Sequence, residues 1–230
     1  MSINKEFDKL ASDSADHLAL KMVAIKEFFL KNYGQKSTAN ILSKLNKMFK
    51  SLGDGFEKIN DKNFDKAFKL ILKADFVNLN QTQKNELIRY KSLMLDEMKL
   101  PTTRLKNEYK KALILNQTEN VTQSKLLKDL NNYSTKKFKR HVKTSFNTYL
   151  QRTYASATWE SIKDKYEYYV YSGARDSVNR PYPCAIYANK VITASKAYEL
   201  MGERLRLYNC RHKILPFTGT EAEAKARLVH

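Results

Sequence analysis

A chain of 230 residues with 42% hydrophobic and 11% aromatic side chains holds enough core-forming material to exclude wholesale disorder. Only 6 Gly and 4 Pro leave little for turns, which favours long helices over a strand-rich sandwich. The 42 basic residues against 24 acidic ones give a net charge of +18, which draws the chain toward polyanions. Two cysteines are too few for a disulfide scaffold, and no apolar run reaches the roughly 20 residues of a membrane helix. Met1-Ser2-Ile3-Asn4-Lys5 opens no secretory leader, so synthesis in a cytoplasm is expected, with no membrane segment and no cofactor.

From Asn4 to about Lys31, the residues Phe7, Leu10, Leu18, Met22, Ile25 and Phe29 recur at helical spacing, and Asn32-Tyr33-Gly34 reads as the stop. A second helix runs from about Ser37 to Leu52 through Ile41, Leu45, Met48 and Phe49, with Gly53-Asp54-Gly55 as its break. The pattern resumes from Asp61 to Phe76 with Phe64, Ala67, Phe68, Ile71 and Leu72. Thr82 caps a further helix through Leu87, Tyr90, Leu93, Met94 and Met98, which Pro101 is expected to end. Leu105, Tyr109, Ala112 and Leu113 mark a short helix after it. Such stripes are the core faces of a helical bundle.

Thr122 to about Asp164 is the longest helical tract, with a break near Tyr133-Ser134. Leu126, Leu127 and Leu130 suit one apolar face, and Phe138, Val142, Phe146, Tyr149 and Leu150 the next. The polar side carries Lys125, Lys128, Lys136, Lys137, Lys139, Arg140 and Lys143, with His141 among them and Asp129 as the single opposing acid. This densest basic patch is the candidate nucleic-acid-binding face. Lysine heads suit sequence-independent phosphate contact, not bidentate base reading. A solvated helix face is the alternative. Residues 1–150 carry 29 basic and 16 acidic side chains, against 13 and 8 in 151–230, so the bias lies mostly in the helical part.

At Tyr166 the pattern changes. Tyr166-Glu167-Tyr168-Tyr169-Val170-Tyr171 reads as a strand, Ser172-Gly173 as a turn, and Asn179 to Pro183 as a loop. Lys190-Val191-Ile192-Thr193 is a second strand, and Ser195 caps a short helix to Met201. An extended end runs through Asn209-Cys210-Arg211-His212 to Leu215-Pro216-Phe217, and Thr220 to Lys225 is a frayed helix or tail. The expected architecture is therefore mainly α: a basic helical domain (1–163), a small α+β module (164–218) and a C-terminal tail (219–230).

Three readings compete for the cysteines. Cys184, Cys210 and His212 have the chemistry of a zinc site, but Cys210 and His212 would face opposite sides of a strand. A Cys184–Cys210 disulfide needs an oxidising medium. Two buried thiols packing as small hydrophobes is the favoured expectation, so no metal is assigned. No phosphate-cradling loop, H-E-x-x-H helix or G-x-S-x-G elbow is present, and no enzymatic activity is expected. Arg175, Asp176, Arg180 and Arg211 are expected to form ion pairs within the module.

The ordered set Tyr169–Gly173, Asp176, Arg180-Pro181, Cys184, Lys190–Thr193, Asn209-Cys210-Arg211-His212 and Pro216 resembles the C-terminal module of the phage head morphogenesis, or minor head protein, family typified by Mu protein F-like proteins. The resemblance covers about 70 residues, roughly 150–217. Asn189 stands where that family usually has Gly before the Lys, and Asn is the next-best residue for a left-handed turn. The resemblance implies a virion protein of the head interior or portal vertex, made in the host cytoplasm. Its implied partners are portal or capsid protein and double-stranded DNA bound without sequence preference. The motif residues Asp176, Arg180, Cys184, Asn209, Cys210, Arg211 and His212 are expected to be structural. The alternative from another class is a cytoplasmic, sequence-independent nucleic-acid-binding protein unrelated to virions.

Overall fold

The computed structural model of the chain describes residues 3–32, 37–119, 135–173, 184–206 and 210–229. It is mainly α, with a small three-stranded sheet near the C-terminus. Helix α1 (Ile3–Asn32) buries Phe7, Leu10, Leu18, Met22, Ile25 and Phe29, the stripe its spacing predicts. Helix α2 (Thr38–Ile71) runs straight through Gly53-Asp54-Gly55, where the glycines predict a break. Glycine costs up to about 1 kcal/mol in a helix interior. The buried series Leu45, Phe49, Leu52, Phe56 and Phe64 crosses both glycines without losing its face, and that burial outweighs the cost.

Pro101 is likewise absorbed, because α3 spans Gln81–Glu119. A proline inside a helix removes one backbone bond and costs about 3 kcal/mol. Leu87 and Met94 before it and Leu105 and Tyr109 after it are all buried, so both flanks are anchored. The start of α3 is capped by Asn80, not Thr82: Asn80 Oδ1 accepts from Gln83 N at 2.9 Å, and Gln83 Oε1 accepts from Asn80 N at 3.0 Å. Helix α4 spans Thr135–Ile162. The expected break at Tyr133-Ser134 lies outside the described residues.

Three strands follow: β1 (Tyr168–Ser172), β2 (Val191–Thr193) and β3 (Lys213–Pro216), in the order β2-β1-β3 with both pairings antiparallel. The extended end is thus a true edge strand, and Pro216 closes it, a place where proline costs no ladder bond. Between the strands lie a one-turn helix α5 (Cys184–Tyr187) and helix α6 (Ala194–Arg206). Thr193, not Ser195, caps α6, its Oγ1 accepting from Lys196 N at 3.2 Å.

The expected tail is a folded element, α7 (Glu221–Arg227), opened by a reciprocal Thr220–Glu223 capping box. Leu228 then bridges Val191 in parallel, and Val229 N donates to Val191 O at 3.1 Å, which covers the outer edge of β2.

The chain divides into two compact units. The first comprises Met1–Asp65 and Ser92–Phe146, the second Lys66–Lys91 and Asn147–His230. The boundary expected at 163/164 falls at the end of α4, whereas the second unit reaches back to Asn147 and takes in part of α2 and α3. In the first unit Tyr109 meets Phe29 edge-on at 5.0 Å and Phe49 at 5.7 Å. Buried Asn63 donates its Nδ2 to Leu10 O at 3.2 Å and to Ser14 Oγ at 3.0 Å, so α2 and α1 share a satisfied polar tie. In the second unit Trp159, Ile162, Tyr169, Tyr171, Ile192 and Leu200 belong to one buried cluster joining α4, the sheet and α6.

Candidate metal centre and basic helix

Strand β1 alternates, so Tyr169 and Tyr171 are wholly buried while Tyr168, Val170 and Ser172 are half-buried. Tyr171 forms one wall of a small site. Its ring stacks on His212 with centroids 5.3 Å apart and planes 18° from parallel. Its hydroxyl lies 3.3 Å from Cys184 Sγ. Cys184 Sγ lies 3.7 Å from Cys210 Sγ, and Cys210 Sγ lies 3.7 Å from His212 Nδ1. Each of the three residues is 3% exposed.

The strand objection to a zinc site does not apply. Strand β3 begins only at Lys213, so Cys210 and His212 sit on backbone outside the strand and face one site together. The sulfurs are in contact without being bonded, since a disulfide needs about 2.05 Å. Gly173 makes the site possible: a Cβ there would lie 2.2 Å from His212 Cδ2, so no other residue leaves the imidazole its place.

The turn before β2 fits as well. Asn189 adopts φ 60°, the left-handed conformation its replacement of Gly implies. Its Oδ1 accepts from Gly173 N at 3.1 Å, and its N donates to Tyr171 O at 2.7 Å. Arg211, between the two buried donors, is exposed. Asp176, Arg180 and Asn209 lie outside the described residues, as do Lys125 and Lys128.

Lys136 and Lys137 fall in the first turn of α4. Lys139 and Arg140 are exposed and Lys143 is half-buried, and their spacing of one, three and four residues sets them on neighbouring positions of the helix surface. Lys139 is ion-paired with Asp16 of α1, so it serves the first unit as well as any outside partner. A shallow, open groove on the surface of α2 is lined by Lys47, Lys50, Ser51, Asp54, Gly55 and Lys58, three lysines and one aspartate that the sequence reading does not single out. The i, i+3 spacing of Lys47 and Lys50 was its signal.

Beyond Lys143 the basic face ends, because α4 is buried on nearly every side from Ser145 to Ile162. Three of its buried hydroxyls are satisfied locally: Thr153, Thr158 and Ser161 each donate to the carbonyl four residues back at 2.8–3.0 Å. Only Arg152 and Glu160 are charged in these 18 residues, and that scarcity in a chain 29% charged was the legible sign of a central helix.

No family model, curated protein or solved structure matches the chain.

Proposed function

We propose that the chain is a phage minor head protein that associates with the portal or capsid and lays basic helix faces against packaged or ejected DNA. The observation that carries this reading is the convergence of the resemblance's motif. Tyr171, Gly173, Cys184, Cys210 and His212, scattered over 42 residues, meet around one small site in a three-stranded module. That these residues pack on one another supports the resemblance, since a chance series of short matches has no need to meet in space. Exposed Lys139, Arg140, Lys47 and Lys50 suit phosphate contact without base reading. Leu20, 73% exposed, and Val23 next to it on α1 offer an apolar surface for a protein partner.

The test is to purify particles of the phage whose genome encodes the chain and to search them for it by mass spectrometry. A few copies per head support the reading. Particles that lack the chain, together with DNA binding by the isolated protein, would favour a nucleic-acid-binding protein with no place in a virion.

A further inference from the structure

We propose that Cys184, Cys210 and His212 bind one zinc ion, which clamps the C-terminal module. Two thiolates and an imidazole are a donor set that zinc takes readily in tetrahedral geometry. With bonds of about 2.3 Å to sulfur and about 2.0–2.1 Å to nitrogen, a tetrahedron sets two sulfurs roughly 3.8 Å apart and a sulfur and a nitrogen roughly 3.6 Å apart. The sulfur pair here stands at 3.7 Å and the Cys210–His212 pair at 3.7 Å. All three donor atoms lie within 4.8 Å of one another. Thiols that pack only as small hydrophobes have no need of an imidazole held at ligand spacing.

The surroundings also suit an ion. Binding sends the two thiol protons to solvent, and the two thiolates then balance the ion's two charges, so the buried site carries no net charge. The Tyr171 hydroxyl, 3.3 Å from Cys184 Sγ, donates to the thiolate so formed, as an outer partner that steadies a ligand. Stacking on Tyr171 and close packing over Gly173 fix the imidazole plane before any ion arrives. The fourth corner of the tetrahedron is left to water or a further donor. The clamp joins the start of α5 to the segment before β3, 26 residues later, in a module whose small core benefits from a staple.

The experiment uses the full chain, purified under reducing conditions without chelator and analysed for bound metal. One equivalent of zinc is expected, falling to background in Cys184→Ser and Cys210→Ser, and retained in His212→Cys, which keeps a tetrahedral ligand. Cobalt(II) added to metal-free protein should give thiolate charge-transfer and tetrahedral ligand-field bands, and the two serine variants should lack them. Near-ultraviolet circular dichroism separates lost ligation from lost folding, since Trp159, Tyr169 and Tyr171 are packed in the same buried cluster as the two cysteines and report the folding of the module itself. A folded wild-type chain with two freely titrating thiols that takes up neither ion would overturn the proposal. A Cys184–Cys210 disulfide in freshly reduced and dialysed protein would overturn it equally.

Discussion

At Gly173 the His212 ring occupies the space in which any other residue would place its Cβ. Gly173→Ala is therefore expected to cost about 1–3 kcal/mol, the usual penalty of overpacking, read as a lower urea midpoint. It should also weaken cobalt binding, because the imidazole must shift to make room; unchanged binding would mean the ring tolerates displacement. Tyr109 offers a second residue-scale test. Burial pushes its phenol up to about 12 from 10.0. A group whose pKa is raised on folding contributes stability that is complete below its unfolded value and is lost as pH rises through the folded one. Between pH 10 and about 12 the wild type should thus lose stability faster than Tyr109→Phe, compared by denaturant unfolding across that window. Parallel losses would show that Tyr109 ionises without unfolding penalty.

Single helices here obey their apolar stripes over their breakers. Gly53 sits in mid-helix, and a Cβ at this position would have nothing within 4 Å, so Gly53→Ala adds helix propensity without a clash. A gain of about 0.5–1 kcal/mol is expected in thermal or urea unfolding. A loss there would mean that α2 needs the glycine for a bend. At the other end of the chain the Thr220 cap holds α7. The backbone and hydroxyl of Thr220 also hold the Glu223 carboxyl below its ordinary range. Thr220→Ala should cost about 1 kcal/mol and should release the C-terminal helix to hydrogen exchange before the rest of the second unit does.

Across the whole molecule the charge is spread more evenly than a split of the sequence at residue 150 suggests. By compact unit, the first carries 23 basic and 14 acidic side chains and the second 19 and 10, a net +9 each. DNA binding should accordingly ignore sequence and weaken steeply with salt. Reversing Arg140 and Lys143 to Glu should reduce the slope of log K against log salt by roughly 0.9 for each phosphate that is no longer neutralised. Lys139 is better left intact in this test, since its partner is Asp16 and its reversal would disturb α1. An unchanged slope would make this part of α4 a solvated face and shift attention to the α2 groove.

The amino-acid sequence by itself determined that the protein is mainly α, where α1 runs, most residues of the buried helical stripes, and that Tyr166 to Thr193 holds the first two strands, although Leu93, which its spacing places on a stripe, is 57% exposed. Those features depend on local periodicity, and a stripe of buried residues outweighs one glycine or proline, which is why α2 and α3 continue through Gly53–Gly55 and Pro101. The tertiary structure alone decided the division into units, the burial of α4 on nearly every side from Ser145 to Ile162, and the gathering of Cys184, Cys210 and His212. Cys184 and Cys210 are 26 residues apart, and their meeting depends on where α5 sits and on β3 starting one residue after His212. Spacing along a chain carries no record of such neighbours. Only the closure of the sheet brings them within bonding reach of a single ion.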